Sequence, residues 1–94
     1  MIPGGLKPSQ PADAAAVTAL NAVRHDPKLA HIPGNLEAIT YTTQVVAGTN
    51  FFIKARTPNG YIHLRIHRAL NGMDYSLHSI QEGKTLDDKI TYFS

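Results

Sequence analysis

The chain has 94 residues, 43% of them apolar and 17% charged, with a formal net charge of +2. That is enough for one domain spanning residues 1–94, close to the usual size of about 100–150 residues, and the composition is globular rather than disordered. Zero cysteines exclude a disulfide framework, zinc fingers and a thiol nucleophile; the charge is far below that of a nucleic-acid binder, and no run approaches the roughly 20 apolar residues that cross a bilayer.

Residues 1–11 read as an extended arm. Pro3, Pro8 and Pro11 lack amide donors and bias their predecessors away from helix, while Met1, Ile2 and Leu6 flank a flexible Gly4-Gly5. The arm leads into no apolar run, so no signal peptide is expected. Asp13 is a candidate helix cap. The alanine-rich residues 14–24 favour a helix, with Ala16, Leu20 and Val23 at helical spacing and Val17 widening the stripe. Asp26-Pro27 interrupts, Pro27 ending or kinking the helix, and Pro33-Gly34 marks a turn.

From there the period changes from 3.6 to 2. Leu36, Ala38, Thr40 and Thr42 alternate with Glu37, Ile39, Tyr41 and Thr43 in a strand that ends near Val46. Residues 49–57 form a second strand, and Pro58-Asn59-Gly60 a hairpin turn. In residues 61–70, Ile62, Leu64 and Ile66 face one side and Tyr61, His63, Arg65 and His67 the other. Asn71-Gly72 is another turn, residues 75–81 a fourth strand, and residues 90–93 a candidate short edge strand. One N-terminal helix packed on a four- to five-stranded antiparallel sheet is an α+β plan, with one sheet face against the helix and the other in water.

The chemistry-bearing residues do not assemble. His63 and His67 lie roughly 13 Å apart along one strand, too far to share, without help from a neighbouring strand, a zinc whose nitrogens stand about 2.0–2.1 Å away. His25, His31 and His78 have no ligand spacing, so the histidines read as a solvated sheet face. Asp87 and Asp88 are adjacent and would point to opposite faces of a strand. No Gly-rich phosphate loop or G-x-S-x-G elbow occurs. Neither a metal nor a cofactor is expected, and the sequence offers surfaces rather than reactive groups.

The most informative segment is Gln44-Val45-Val46-Ala47-Gly48, apolar, uncharged and ended by glycine between two good strands. By itself it is a tight hairpin that needs glycine for positive φ. In an antiparallel meander, however, the turn at Leu70-Asn71-Gly72 projects from the same end, and an arm preceding the helix can reach that end too. Three weakly apolar segments then make one linear edge.

Here the sequence resembles the stefins, the type 1 cystatins that inhibit papain-like cysteine proteases. The resemblance is carried by Met1-Ile2-Pro3-Gly4-Gly5-Leu6, Leu36-Glu37-Ala38, residues 44–54 and residues 61–66. It implies a cystatin-like fold and a protein that is not an enzyme. The implied function is reversible, tight, non-covalent inhibition of cathepsin-type proteases, with no nucleic-acid or membrane partner. The implied protease-binding residues are Gly4 and Gly5 of the arm, Gln44, Val45, Val46, Ala47 and Gly48 of the first hairpin, and Leu70, Asn71 and Gly72 of the second. Stefins commonly carry Leu-Pro at the second hairpin, where this chain has Leu70-Asn71. If that missing proline is a deficit, Asn71→Pro is expected to tighten binding. Absence of cysteine and of a leader fits a cytoplasmic protein. A monomer is expected, together with a domain-swapped dimer reached by opening the first hairpin, whose β-branched Val45 and Val46 favour extended strand.

Overall fold

The computed structural model describes residues 6–94; Gly4, Gly5 and the other residues of the first five lie outside it. Strand β1 (Gln10–Pro11), helix α1 (Ala14–Val23), a 3-10 turn (Pro27–Leu29) and strands β2 (Glu37–Val46), β3 (Gly48–Thr57), β4 (Gly60–Arg68) and β5 (Tyr75–Lys84) follow in chain order. The strands form one antiparallel sheet in the order β1-β2-β3-β4-β5.

Asp13 starts the helix as expected. Its Oδ1 accepts from the amides of Ala15 at 3.0 Å and Ala16 at 3.3 Å, satisfying donors that a helix start leaves free. Its Oδ2 accepts from the Tyr41 hydroxyl at 2.8 Å, and that hydroxyl accepts from Gln10 Nε2 at 2.6 Å. One carboxylate thus ties α1, β1 and β2 together, and the Tyr41 bond holds its pKa below the usual value. Pro27 ends the helix rather than kinking it, because Asp26 caps a separate short turn, accepting from the Lys28 amide at 2.8 Å.

The helix buries Ala16, Ala19, Leu20 and Val23. Val17, expected in that stripe, is 45% exposed. It lies about 100° round the helix from Ala16, whereas Ala19 completes the narrower face. These residues pack with Leu29, Ile32, Tyr41, Phe51, Ile53, Ala55, Ile62, Leu64, Ile66 and Leu77 in one apolar core.

Strand β2 departs from the simple alternation. Ala38 pairs with Ala55 but Thr40 with Lys54, so Ile39 is a bulge. A bulge shifts side-chain parity by one. Leu36, Ala38 and Tyr41 therefore share the core side, while Thr42 and Gln44 point to the other face. The carbonyl of Ile39 accepts from the Ala12 amide at 2.9 Å, joining the bulge to the end of β1.

That other face is not open to water, and residues 90–93 are not an edge strand. Phe52, Lys54 and His63 are all buried there, roofed by the C-terminal segment. Phe93 meets Phe52 edge-on with centroids 5.5 Å apart, and Tyr92 lies 5.8 Å from the same ring. Arg65 donates to the Phe93 carbonyl at 3.1 Å and stands over the Tyr92 ring. The Lys54 ammonium donates to the carbonyls of Leu86 and Asp88. Aromatic burial and these charge-assisted bonds hold the segment across the sheet, where an edge strand would have left Phe52 and Phe93 wet. The fifth strand comes instead from the arm, whose residues 10–11 pair with β2.

His63 is 1% exposed, and neither ring nitrogen has a hydrogen-bond partner among the described residues. Burial, reinforced by Lys54 and Lys84 and opposed by Asp88, lowers its pKa from 6.5 to about 4. Above pH 6.5 the ring is neutral in both folded and unfolded chains, and its contribution to stability is complete. As pH falls from 6.5 toward 4 the unfolded chain takes up the proton first, so stability drops by on the order of 3 kcal/mol and then levels. Urea denaturation of the His63→Phe variant is expected to show a flatter profile in that window than the wild type. A variant profile as steep as the wild type would contradict the assignment.

Candidate functional site at the hairpin end of the sheet

The first hairpin is as tight as the chain permits. Val46 pairs with Gly48, leaving Ala47 alone at the tip. Gly48 has φ +98°, a region that side chains avoid. A Cβ on it would lie well inside contact distance of the Arg68 carbonyl oxygen and 2.9 Å from Cε1 of His67. Glycine is therefore required both by its own backbone and by the closeness of β4.

The segment divides by face. Gln44 points inward, 4% exposed, its Oε1 accepting from Asn50 Nδ2 at 3.0 Å. Val45 and Val46 are 61% and 40% exposed. Thr49 of β3 pairs with Arg68 at the end of β4, so the loop of residues 69–74 leaves the sheet beside the first hairpin.

Asn71 builds that second loop. Its Oδ1 accepts from the amides of Met73 at 2.8 Å and Asp74 at 3.2 Å, and its Nδ2 donates to Asp74 Oδ2 at 2.8 Å. The Ala69 amide donates to the Asp74 carbonyl and the Gly72 amide to the Ala69 carbonyl, each at 2.9 Å, with Gly72 at φ +72°. This Asx-type turn holds out Leu70 at 82% and Met73 at 79% exposure. Sequence reasoning missed Met73; the available signal was a large apolar residue inside a turn. Exposed Val45, Val46, Leu70 and Met73 form an apolar end on the sheet.

The arm approaches the same end. Pro11 lies opposite Thr40 and Gln10 opposite Tyr41. Further back, the Lys7 amide donates to the Thr43 carbonyl at 3.5 Å and the Thr42 hydroxyl donates to the Lys7 carbonyl. Followed backward, the chain tracks β2 toward Val46. Among the described residues no group of three or more His, Asp or Glu is placed to hold a metal ion, and no helix is long and apolar enough to cross a membrane.

No family model matches the chain. The chain is 48% identical to Cystatin-A2 of Dictyostelium discoideum over 96% of both chains. It is 41% identical to human Cystatin-A over 99% of its own length and all of the relative's. It is also 48% identical to mouse Stefin-1 over 61% of each chain. One helix on a five-stranded antiparallel sheet, with this similarity, defines the cystatin class, whose members inhibit cysteine proteases and are not enzymes. Within that class the chain belongs to the stefin-type cystatins.

The steric demand at Gly48 makes Gly48→Ala a sharp probe of this end. The substitution is expected to cost about 2–3 kcal/mol of folding stability and to speed exchange of the amides of Val46 and Ala47. Wild-type stability and exchange, measured by denaturation and NMR, would show that the close approach to Arg68 is not maintained in solution.

Proposed function

We propose that the protein is a reversible, tight-binding, non-covalent inhibitor of papain-like, cathepsin-type cysteine proteases, and that it fills their active-site cleft with the arm and the two hairpins. The observation that carries this reading is the apolar end of the sheet. Val45, Val46, Leu70 and Met73 stand exposed on two adjacent loops, the first held close against β4 at Gly48 and the second held by the Asn71 hydrogen bonds. Preorganised apolar loops bind with little ordering cost, and protease–inhibitor interfaces typically bury about 1,600 Å² in total.

In this reading the valines and Leu70 enter the cleft on one side of the catalytic cysteine and Gly4 with Gly5 pass on the other. A Gly4 side chain would collide where the arm enters. Because the loops present no scissile carbonyl at attack distance, the thiolate never reaches near-attack geometry and the inhibitor is not cleaved. A cysteine-free chain suits a reducing compartment, and action in the cytoplasm is part of the proposal.

Titration against papain is expected to give stoichiometric loss of activity, recovered on dilution, with the inhibitor intact by mass spectrometry. Absence of inhibition at micromolar protein would overturn the reading. Deleting residues 1–6 is expected to raise the dissociation rate about tenfold or more while leaving the association rate nearly unchanged. Asn71→Pro, which resemblance alone would expect to tighten binding, is expected to weaken it, since proline removes three hydrogen bonds of the loop. Tighter inhibition by that variant would show that the loop reorganises on the protease.

The inhibitory species in this proposal is the monomer. With only Ala47 between β2 and β3, opening the hairpin would merge two strands and let two molecules exchange the helix and β2. Mild heating at high concentration, followed by gel filtration, is expected to yield a dimer that does not inhibit papain. An active dimer, or monomer alone, would count against the hinge.

A further inference from the structure

Gln44, Asn50 and His67 stand directly opposite one another on β2, β3 and β4, because Gln44 pairs with Asn50 and Asn50 with His67 in the two registers. Their side chains share the sheet face away from the helix and join in one row. Asn50 Nδ2 donates to Gln44 Oε1 at 3.0 Å, and His67 Nδ1 lies 3.0 Å from Asn50 Oδ1. Asn50 and Gln44 are both 4% exposed, so an amide that lost its partner here would have little water to replace it.

The row has a direction. With the Asn50 amide nitrogen donating to Gln44, its oxygen is the end that faces His67, and the ring must donate from Nδ1. The far edge of the same ring stands against the first hairpin: Cε1 and Nε2 lie 2.9 Å and 3.1 Å from where a Gly48 Cβ would be. Three residues further along the chain is Leu70 of the second hairpin. One side chain therefore reaches the buried polar row, the glycine of the first loop and the strand that leads into the second.

We infer that His67 is a positioning residue for inhibition: its Nδ1–H, acting through Asn50 and Gln44, and its ring edge against Gly48 fix the two hairpins relative to each other. The inference rests on the inhibitory reading given above, and it assigns the ring no contact with the protease. Its specific content is a ring bearing its proton on Nδ1 whose donor function, rather than its bulk, sets the lifetime of the complex.

Three measurements test it. In free wild-type protein at pH 8, imidazole 15N NMR is expected to show His67 with its proton on Nδ1; a proton on Nε2 would overturn the direction of the row and the inference with it. His67→Phe keeps a ring and removes the donor, and is expected to raise the papain dissociation rate about tenfold and to speed amide exchange at Val46, Ala47 and Gly48. His67→Asn, whose amide nitrogen can occupy the place of Nδ1, is expected to recover most of the loss. Wild-type dissociation and exchange in His67→Phe, or a His67→Asn variant as poor as His67→Phe, would reduce His67 to a packing residue. Far-UV circular dichroism and thermal melts establish that each variant is folded, and the wild-type tautomer decides the matter if neither is. If the wild type fails to inhibit papain at all, the proposed function falls, while the tautomer and exchange results still judge the brace.

Discussion

Six consecutive residues of β3, from Asn50 to Ala55, are buried, and because a strand alternates its side chains, that burial obliges the chain to cover its sheet twice. Helix α1 supplies one cover, laying Ala16, Ala19, Leu20 and Val23 over the face that carries Phe51, Ile53 and Ala55. The C-terminal segment supplies the other, with Phe93 on Phe52 and two of its carbonyls on the Lys54 ammonium. A buried ammonium is tolerable only when its donors are satisfied, so Lys54 and the segment it grips depend on each other. His63 takes the cost of the same enclosure, surviving there as a neutral ring.

The sheet is covered on both faces, and the apolar side chains it leaves exposed at its end stand on the two hairpins. The two hairpins reach rigidity by different chemistry. The first uses backbone closeness, since Gly48 lies so near the Arg68 carbonyl that no other residue fits. The second uses a side chain, Asn71, to imitate in three hydrogen bonds the restriction that a proline ring imposes covalently. Asn71 thus orders the loop from which Leu70 and Met73 stand exposed.

Much of this could be seen in the residues themselves, where the cause was local. Asp13 before an alanine run, Pro58-Asn59-Gly60 between alternating segments and Gly48 after Val45-Val46-Ala47 act over a few residues, and the structure has each where the pattern puts it. What was hidden depends on partners far along the chain. The Ile39 bulge, answered by the Ala12 amide, leaves no mark in the hydrophobic alternation, which by itself puts Thr40 and Thr42 on the face of Leu36. The roof over Phe52 joins residues about forty positions apart, and without the C-terminal segment laid across this face His63, Arg65 and His67 read as a wet stripe. The candidate site was legible in Val45, Val46 and Leu70, but the inward turn of Gln44 and the reach of Met73 needed the register and the loop bonds.

The arm has a consequence for how the molecule behaves in concentrated solution. Its residues 10–11 complete β1, and Lys7 bonds β2 beyond it, so the arm occupies an edge that would otherwise offer a row of free amides and carbonyls to any passing strand. Pro8 and Pro11 make it a poor template in turn, since neither can donate outward. The residues that follow those proposed to enter a protease cleft therefore guard the sheet against self-association. Shortening the arm beyond Leu6 would therefore bare the edge of β2 and add a loss of colloidal stability to the proposed loss of affinity.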